Sequence, residues 1–167
     1  MDAAAKKTAL RMIPYGLYVL TAETKDGRVA ASTVNWVTQA SFEPPLVVVG
    51  VKADSTAHEL IKDARAFALN ILGKGQENLA FTFFKTLERE GNSIGGQPFS
   101  SGSSGSPILQ AAAGFVECIL VDTLERGDHS LFLGSVIAAG VSRDIAGRPD
   151  DETLTLRELG ASTFYGG

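Results

Sequence analysis

The sequence has few of the residues that build disulfides or metal clusters. It contains one cysteine, Cys118, and two histidines among 167 residues, which excludes an intrachain disulfide and a multi-cysteine or His-rich metal site. No apolar run approaches the roughly 20 residues that span a bilayer, and the first residues lack the apolar core of a secretory signal. The net charge of −4 argues against a nucleic-acid partner, which favours a basic face. We therefore expect a cytoplasmic enzyme or binding protein without membrane or nucleic-acid partners.

Two common phosphate-binding fingerprints are also missing. Gly73-Lys74-Gly75 lacks the spacing of a Walker loop. No Gly-x-Gly-x-x-Gly sequence occurs, so a Rossmann nicotinamide domain is not supported. The length is that of a single domain with one core, which we place over residues 1–167.

The segment from Ala30 to Ser41 has an unusual pattern for a strand. Its β-branched residues favour extended backbone, but polar residues occupy odd and even positions alike. A strand with one wet face carries them at every second position. We predict one long strand, ended by the Pro44-Pro45 turn, that needs polar contacts on both faces. A bound polar ligand, the edge of a partner subunit or other satisfied barrel hydroxyls would each provide them.

The remaining segments predict further strands and short helices. An Asp-Gly hairpin signal at Lys25–Arg28 joins the long strand to one before it. The predicted strands cover 17–24, 46–51, 66–72, 113–125 and 131–141, and the predicted helices cover 3–12, a segment from Ser55, and 76–84. The Gly- and Ser-rich segment 90–106 predicts a mobile loop. Antiparallel strands with only short helices between them indicate a mainly β, closed or partly closed barrel.

Two of these helices carry side-chain predictions. Leu10 and Met12 of the first helix are expected to turn inward. Thr56 and Glu59 have the spacing of a capping box, which places the second helix start at or near Ser55.

The start of that second helix is the first candidate site. Helix N-termini attract anions, and Lys52, Ser55 and Thr56 add an ammonium and two hydroxyl groups there. A phosphate monoester would suit these groups, although plain helix capping explains the same residues. His58 follows in the first turn, either as a phosphate or ring contact or as a partly exposed surface residue.

The second candidate site is Gly127-Asp128-His129 at the entrance of a strand. The Asp128 carboxylate would orient the imidazole of His129, but an ordinary hairpin turn explains the same residues. Cys118 lies in an apolar strand, where it is expected to pack as a small hydrophobic residue.

Four stretches, in this order, resemble the flavin reductase-like, FMN-binding split-barrel family. They are 15–21, 31–46, 55–72 and 127–136, the last with the Gly-Asp-His motif that reductases of this family place near the nicotinamide. The resemblance implies a split, Greek-key-like antiparallel β-barrel with short flanking helices, forming a homodimer with FMN at the subunit interface. The tail at 163–167 departs from the family because it ends short of the usual aromatic finish.

The resemblance also assigns roles to particular residues. It implies that His129, oriented by Asp128, lies near the nicotinamide or the flavin face. It implies cofactor contacts from the long strand and the following helix start: Thr33, Asn35, Trp36, Val37, Thr38, Lys52, Ser55, Thr56 and, as a further contact, His58.

The activity implied by the resemblance is hydride transfer from NADH or NADPH to FMN, with FAD as the alternative cofactor. Electrons would then pass to free flavin, oxygen or a protein acceptor such as a monooxygenase. Two other interpretations are an electron-transfer flavoprotein reduced by a protein partner and a flavin-free split barrel that binds another small ligand.

Overall fold

A computed structural model describes all of residues 1–167. Three short helices and eleven strands form, together with two 3-10 turns at Pro149–Glu152 and Leu156–Leu159. In chain order the elements are α1 (Ala3–Arg11), β1 (Tyr18–Glu23), β2 (Val29–Val34), β3 (Val37–Ser41), β4 (Leu46–Lys52), α2 (Thr56–Ala64), β5 (Ala66–Ile71), α3 (Glu77–Thr82), β6 (Arg89–Glu90), β7 (Ser93–Ile94), β8 (Gln97–Ser101), β9 (Pro107–Leu109), β10 (Gly114–Glu125) and β11 (His129–Val141). None of the helices is long and apolar enough to cross a bilayer.

Seven of the strands form one antiparallel sheet in the order β2-β1-β5-β10-β11-β4-β3. A second, four-stranded sheet has the order β6-β7-β8-β9. The predicted mainly β, antiparallel fold with short helices is therefore confirmed.

The long strand predicted over 30–41 is wrong, because the structure divides it into β2 and β3. β2 pairs with β1 and β3 pairs with β4, so the two halves lie at opposite edges of the sheet. The break falls at Asn35 and Trp36, where the Trp36 carbonyl accepts a hydrogen bond from the Gly50 amide at 2.8 Å. The polar residues of 30–41 occupy odd and even positions alike because this segment consists of two strands with different neighbours.

This two-residue link requires the sheet to curl. Six interstrand spacings of about 4.8 Å would separate the edges of a flat seven-stranded sheet by about 29 Å. The chain from Val34 to Val37 spans at most about 11 Å. The edge strands β2 and β3 therefore approach each other, and Asn35 and Trp36 lie where they meet.

Two hydrophobic cores lie on the two faces of β1, which explains why its interior is buried throughout. Leu20 belongs to a core with Phe67 and Phe132, under helix α2. Val19, its neighbour, belongs to a second core with residues of α3, the four-stranded sheet and the C-terminal segment, including Phe83.

A buried polar group joins the two sheets. The side-chain amide of Asn70, which is fully buried, donates to the Val19 carbonyl at 3.0 Å and accepts from the Leu109 amide at 2.8 Å. Thr21 donates its hydroxyl to the Pro107 carbonyl at 2.5 Å. These bonds fix β9, and with it the small sheet, against β1 and β5.

The mobile loop predicted over 90–106 is wrong, because the paired strands β6, β7 and β8 run through this segment. The turn after β8 is held by Glu117, a carboxylate that is 1 % exposed. Glu117 accepts from the amides of Ser103 and Ser104 at 3.0 and 2.7 Å, and from the Ser104 hydroxyl at 2.6 Å. Composition alone did not indicate these long-range bonds.

The predicted starts of the helices agree better with the structure than the predicted side-chain contacts. Leu10 and Met12 are exposed, and α1 has no buried residue, so their predicted inward orientation is wrong. Helix α2 begins beside Ser55 as predicted, but Ser55 itself is the cap and accepts from the His58 amide. Glu59 instead pairs with Arg28 at 2.8 Å.

Candidate functional site

A cavity of about 330 Å³ opens where the β2–β3 link meets the end of β4 and the start of α2. This volume lies within the range of small-molecule sites. Its polar wall comprises Ser32, Thr33, Asn35, Lys52 and Ser55, and its apolar wall includes Leu17, Val51, Phe83, Phe84 and Leu156. The structure thus brings four of the residues implied for the cofactor, Thr33, Asn35, Lys52 and Ser55, into one cavity.

One end of the cavity suits an anion. Ser55 donates its hydroxyl to the Lys52 carbonyl at 2.7 Å and caps α2, whose other first-turn amides have no helical partner. Lys52 is the only charged side chain that lines the cavity. A hydrogen bond to the Asp54 carboxylate raises the pKa of Lys52, so it is a cation at neutral pH. The Lys52 ammonium and the free amides after Ser55 together form a donor set for phosphate, whereas the one Ser55 hydroxyl proton is already donated to the Lys52 carbonyl.

The aromatic side chains of Trp36, His129 and Tyr165 lie together beside this anion site. Register pairs His129 with Lys52 across β11 and β4. The ring of His129 lies 4.4 Å from that of Trp36, and Tyr165 lies 5.4 Å from Trp36, measured between centroids. Tyr165 itself lines the cavity.

Both ring nitrogens of His129 have partners. Nδ1 lies 2.9 Å from Asp128 Oδ1, and Nε2 lies 2.6 Å from the Tyr165 hydroxyl. The hydrogen bond from His129 lowers the pKa of Asp128, and burial raises the pKa of Tyr165. At neutral pH the imidazole of His129 therefore has the ionised Asp128 carboxylate on one side and the neutral Tyr165 phenol on the other.

The C-terminal tail reaches this site, which sequence reasoning missed. Asn35 donates its side-chain amide to the Tyr165 carbonyl at 3.4 Å, and Arg11 donates to the Gly166 carbonyl at 3.2 Å. Arg11 also stacks on Phe164 at 4.3 Å. The adjacent aromatic residues in an otherwise small and polar tail were the available signal.

The structure does not bring the remaining implied residues into the cavity. Val37 lines a separate cavity of about 320 Å³ with Tyr18 and other apolar residues. Thr38 and Thr56 are exposed and do not line the main cavity. His58 is buried beneath α2, where its Nε2 lies 2.9 Å from the Ser130 hydroxyl.

Other reactive groups in the structure are inert or isolated. Burial raises the pKa of the Cys118 thiol to about 12, so it stays protonated at neutral pH and packs in the core. No group of three His, Cys, Asp or Glu side chains is arranged to hold a metal ion.

The donors around the cavity fit a flavin mononucleotide. Lys52 and the free amides after Ser55 match its phosphate, and the polar wall from β2 matches hydroxyl and ring-edge groups. Trp36 supplies a further observation, because its Nε1 is a buried donor without a partner. A polar ligand or a movement of the tail would satisfy such a group.

Residues 10–156 match the family described as flavin reductase like domain. The chain belongs to this family. It is 32 % identical over 149 residues to the NADH-dependent flavin reductase StyB of Pseudomonas fluorescens, and the match covers 89 % of this chain and 85 % of that protein. It is also 32 % identical over 144 residues to diflavin flavoprotein A 1 of Synechocystis, but the match spans 25 % of that longer protein.

Solved structures agree with this assignment. The styrene monooxygenase flavin reductase (SMOB) of Pseudomonas putida S12 matches with a TM-score of 0.68 and 32 % identity, over 81 % of this chain and 85 % of that one. The flavin reductase PheA2 matches with a TM-score of 0.72 and 28 % identity, over 84 % and 88 %. The predicted family is confirmed, and with it the predicted enzyme class, a flavin reductase.

Proposed function

We propose that this protein uses NADH or NADPH to reduce a flavin, with FMN held in the cavity beside α2. The observation that carries the proposal is the cavity itself, where the Lys52 ammonium and the start of α2 adjoin the polar wall of β2, with the His129 ring nearby. When bound, the flavin supplies the redox chemistry, since it accepts a hydride and passes electrons on. The protein provides binding, orientation and proximity.

The residues of the cavity divide the binding task. Lys52 and the free helix amides after Ser55 hold the phosphate, and Asn35 offers its side-chain amide to the polar edge of the ring. The side-chain amide of Asn35 has two N–H donors, and only one of them is used, by the Tyr165 carbonyl at 3.4 Å, so the other is available to a ligand. Thr33 donates to the Ala80 carbonyl at 2.7 Å and keeps its acceptor lone pairs for the ligand.

His129, oriented by Asp128, belongs to the nicotinamide side of the site in this proposal. Its ring lies against Trp36, outside the residues that hold the phosphate. His129→Ala is therefore expected to slow reduction of the bound flavin by NADH and to leave FMN affinity nearly unchanged. Equal losses of both properties would contradict this role.

The decisive experiment is the visible absorption spectrum of the FMN-loaded protein before and after anaerobic mixing with NADH. Prompt bleaching in stopped flow supports the reductase. A flavin that bleaches only with a reduced protein donor would favour an electron-transfer flavoprotein, the function that the match to a segment of a diflavin flavoprotein makes the second candidate. Failure to take up FMN would contradict both.

We further propose that the curled sheet is the split barrel of the family and that two copies pair through the long strands. Large apolar side chains are exposed along β10 and β11: Ile119, Val121, Leu124, Leu131, Ile137 and Val141. Several large apolar side chains exposed on one pair of strands are typical of an interface. Sedimentation equilibrium tests the pairing: a dimer is expected, and a monomer at micromolar concentration would contradict it.

The reduced flavin is proposed to serve a protein acceptor. The support is the similarity to a reductase described as that of styrene monooxygenase. Transfer of reduced flavin to an oxygenase, followed as coupled product formation, is the measurement that tests this step.

A further inference from the structure

Tyr165 separates His129 from the cavity. Tyr165 lines the cavity, whereas His129 does not, and the His129 side chain is only 13 % exposed. Trp36 covers one side of the imidazole, and both ring nitrogens already have partners. A ligand in the cavity therefore meets the side chain of Tyr165 before it meets that of His129.

The hydrogen bonds among Asp128, His129 and Tyr165 determine which group donates and which accepts. The ionised Asp128 carboxylate only accepts, so the Nδ1 of a neutral His129 carries the proton. Nε2 is then an acceptor, and the Tyr165 hydroxyl donates to it at 2.6 Å. The phenol oxygen keeps lone pairs that accept a hydrogen bond from a ligand. Asp128 and His129 thus fix which way the Tyr165 hydroxyl points.

The position of the Tyr165 ring does not depend on its hydroxyl alone. Asn35 holds the Tyr165 carbonyl, Arg11 holds the next carbonyl, and the phenol ring packs on Trp36. Removal of the hydroxyl should therefore leave the ring and the tail in place. This separates the chemistry of the hydroxyl from the structural role of the tail.

We propose that Tyr165 contacts the bound nicotinamide and that Asp128 and His129 act on the reaction through it. In this arrangement the phenol oxygen accepts a hydrogen bond from the nicotinamide carboxamide and so orients the ring toward the flavin. His129 becomes a positioning residue for Tyr165, and Asp128 becomes a positioning residue for His129. The inference rests on the proposed function, because it names the residue that meets the nicotinamide in the same site.

The test compares Tyr165→Phe, His129→Gln and the double variant, each loaded with FMN, in anaerobic stopped flow with NADH. Loss of one neutral hydrogen bond predicts a fall of about fivefold in the second-order rate constant for each single variant. The double variant should be no slower than the slower single variant, because both substitutions break the same chain of contacts. FMN affinity should not change, and Tyr15→Phe, which removes a hydroxyl that has no bond to His129, serves as the matched control.

Two measurements on the flavin-free protein are independent of activity. Since the chain has two histidines, ¹⁵N spectra with His58→Gln as the assignment aid give the tautomer of His129. We expect protonated Nδ1 in both wild type and Tyr165→Phe, with the Nε2 resonance shifted in the variant. Trp36 is the single tryptophan, so unchanged fluorescence in Tyr165→Phe verifies that the tail is still docked.

Several results would overturn the inference. If the fall in rate constant of the double variant equals the product of the two single falls, His129 and Tyr165 act separately. An unchanged rate in Tyr165→Phe would show that the phenol hydroxyl does not contact the nicotinamide. A faster rate would show that the tail hinders NADH binding. Protonation of Nε2 in the wild type would reverse the assigned direction. If NADH fails to reduce the wild-type flavin at all, the proposed function fails, and the ¹⁵N result still reports on the His129–Tyr165 bond.

Discussion

Replacement of Asn70 by leucine should loosen the join between the two sheets. Leucine has the same branching as asparagine, so the substitution removes hydrogen bonds with little change of shape. Asn70 is fully buried and bonds to the Val19 carbonyl, the Thr21 hydroxyl and the Leu109 amide. The Leu109 amide would be left as a buried donor without a partner.

The expected cost follows from these contacts. A buried donor without a partner costs about 1–3 kcal/mol, and each lost neutral hydrogen bond contributes about 1 kcal/mol. The Thr21 hydroxyl loses the bond from Asn70 but keeps its own bond to the Pro107 carbonyl, so it remains partly satisfied. We therefore expect Asn70→Leu to lower the free energy of unfolding by about 3 kcal/mol.

Urea denaturation of wild type and variant measures this change, with m-values compared to verify that the unfolded states are alike. Amide exchange at Leu109 should accelerate by a larger factor than exchange in β11, because the substitution removes the bond that Leu109 makes to Asn70 and no bond of β11. Thr21→Val is the matched variant, and its effect should not add fully to that of Asn70→Leu. A loss below about 1 kcal/mol, or equal acceleration of exchange in both regions, would refute the role assigned to Asn70.

Three further predictions concern charged and titratable groups. Lys52→Gln should weaken binding of FMN but not of riboflavin, which lacks the phosphate; fluorescence titration with both ligands measures the difference, and equal weakening would place the phosphate elsewhere. Burial lowers the pKa of His58, so the unfolded chain binds the extra proton first as pH falls below about 6.5. The free energy of unfolding should therefore decrease as the pH falls from about 6.5 to the lower pKa of the folded state. Urea midpoints measured against pH should show this decrease in the wild type and a smaller one in His58→Gln. The same pH dependence in both proteins would contradict the prediction. Glu117→Gln should cost about 2 kcal/mol and speed amide exchange at Ser103 and Ser104, and protection as in wild type would show that the carboxylate is not needed.

The order of short motifs was enough to predict the family and the mainly β fold, because local patterns define most strands and helix starts. The division of 30–41 could not be predicted in the same way. Neither glycine nor proline marks the break, and the contact that sets it joins Trp36 to Gly50, on a different strand. Periodicity describes the faces of one strand and does not reveal a change of neighbour.

The candidate site shows the same division between local and long-range information. Lys52 and Ser55 were predicted from a helix start, and they lie together in the cavity. His58 is only three residues further on, but the turn of the helix directs it into the core toward Ser130. Tyr165 was missed because its place depends on a contact with Asn35 across 130 residues of sequence.

The two-residue link between β2 and β3 also ties ligand binding to the integrity of the fold. Because Asn35 lines the cavity and at the same time joins the first and last strands of the sheet, the edges cannot fray apart without dismantling the binding wall. By thermodynamic linkage, a ligand that binds only the intact wall opposes fraying, and the free energy of opening rises with the logarithm of one plus the ratio of ligand concentration to dissociation constant. The free protein should lose hydrogen-exchange protection first along β2 and β3, and saturation with FMN should restore it there more than in the central strands.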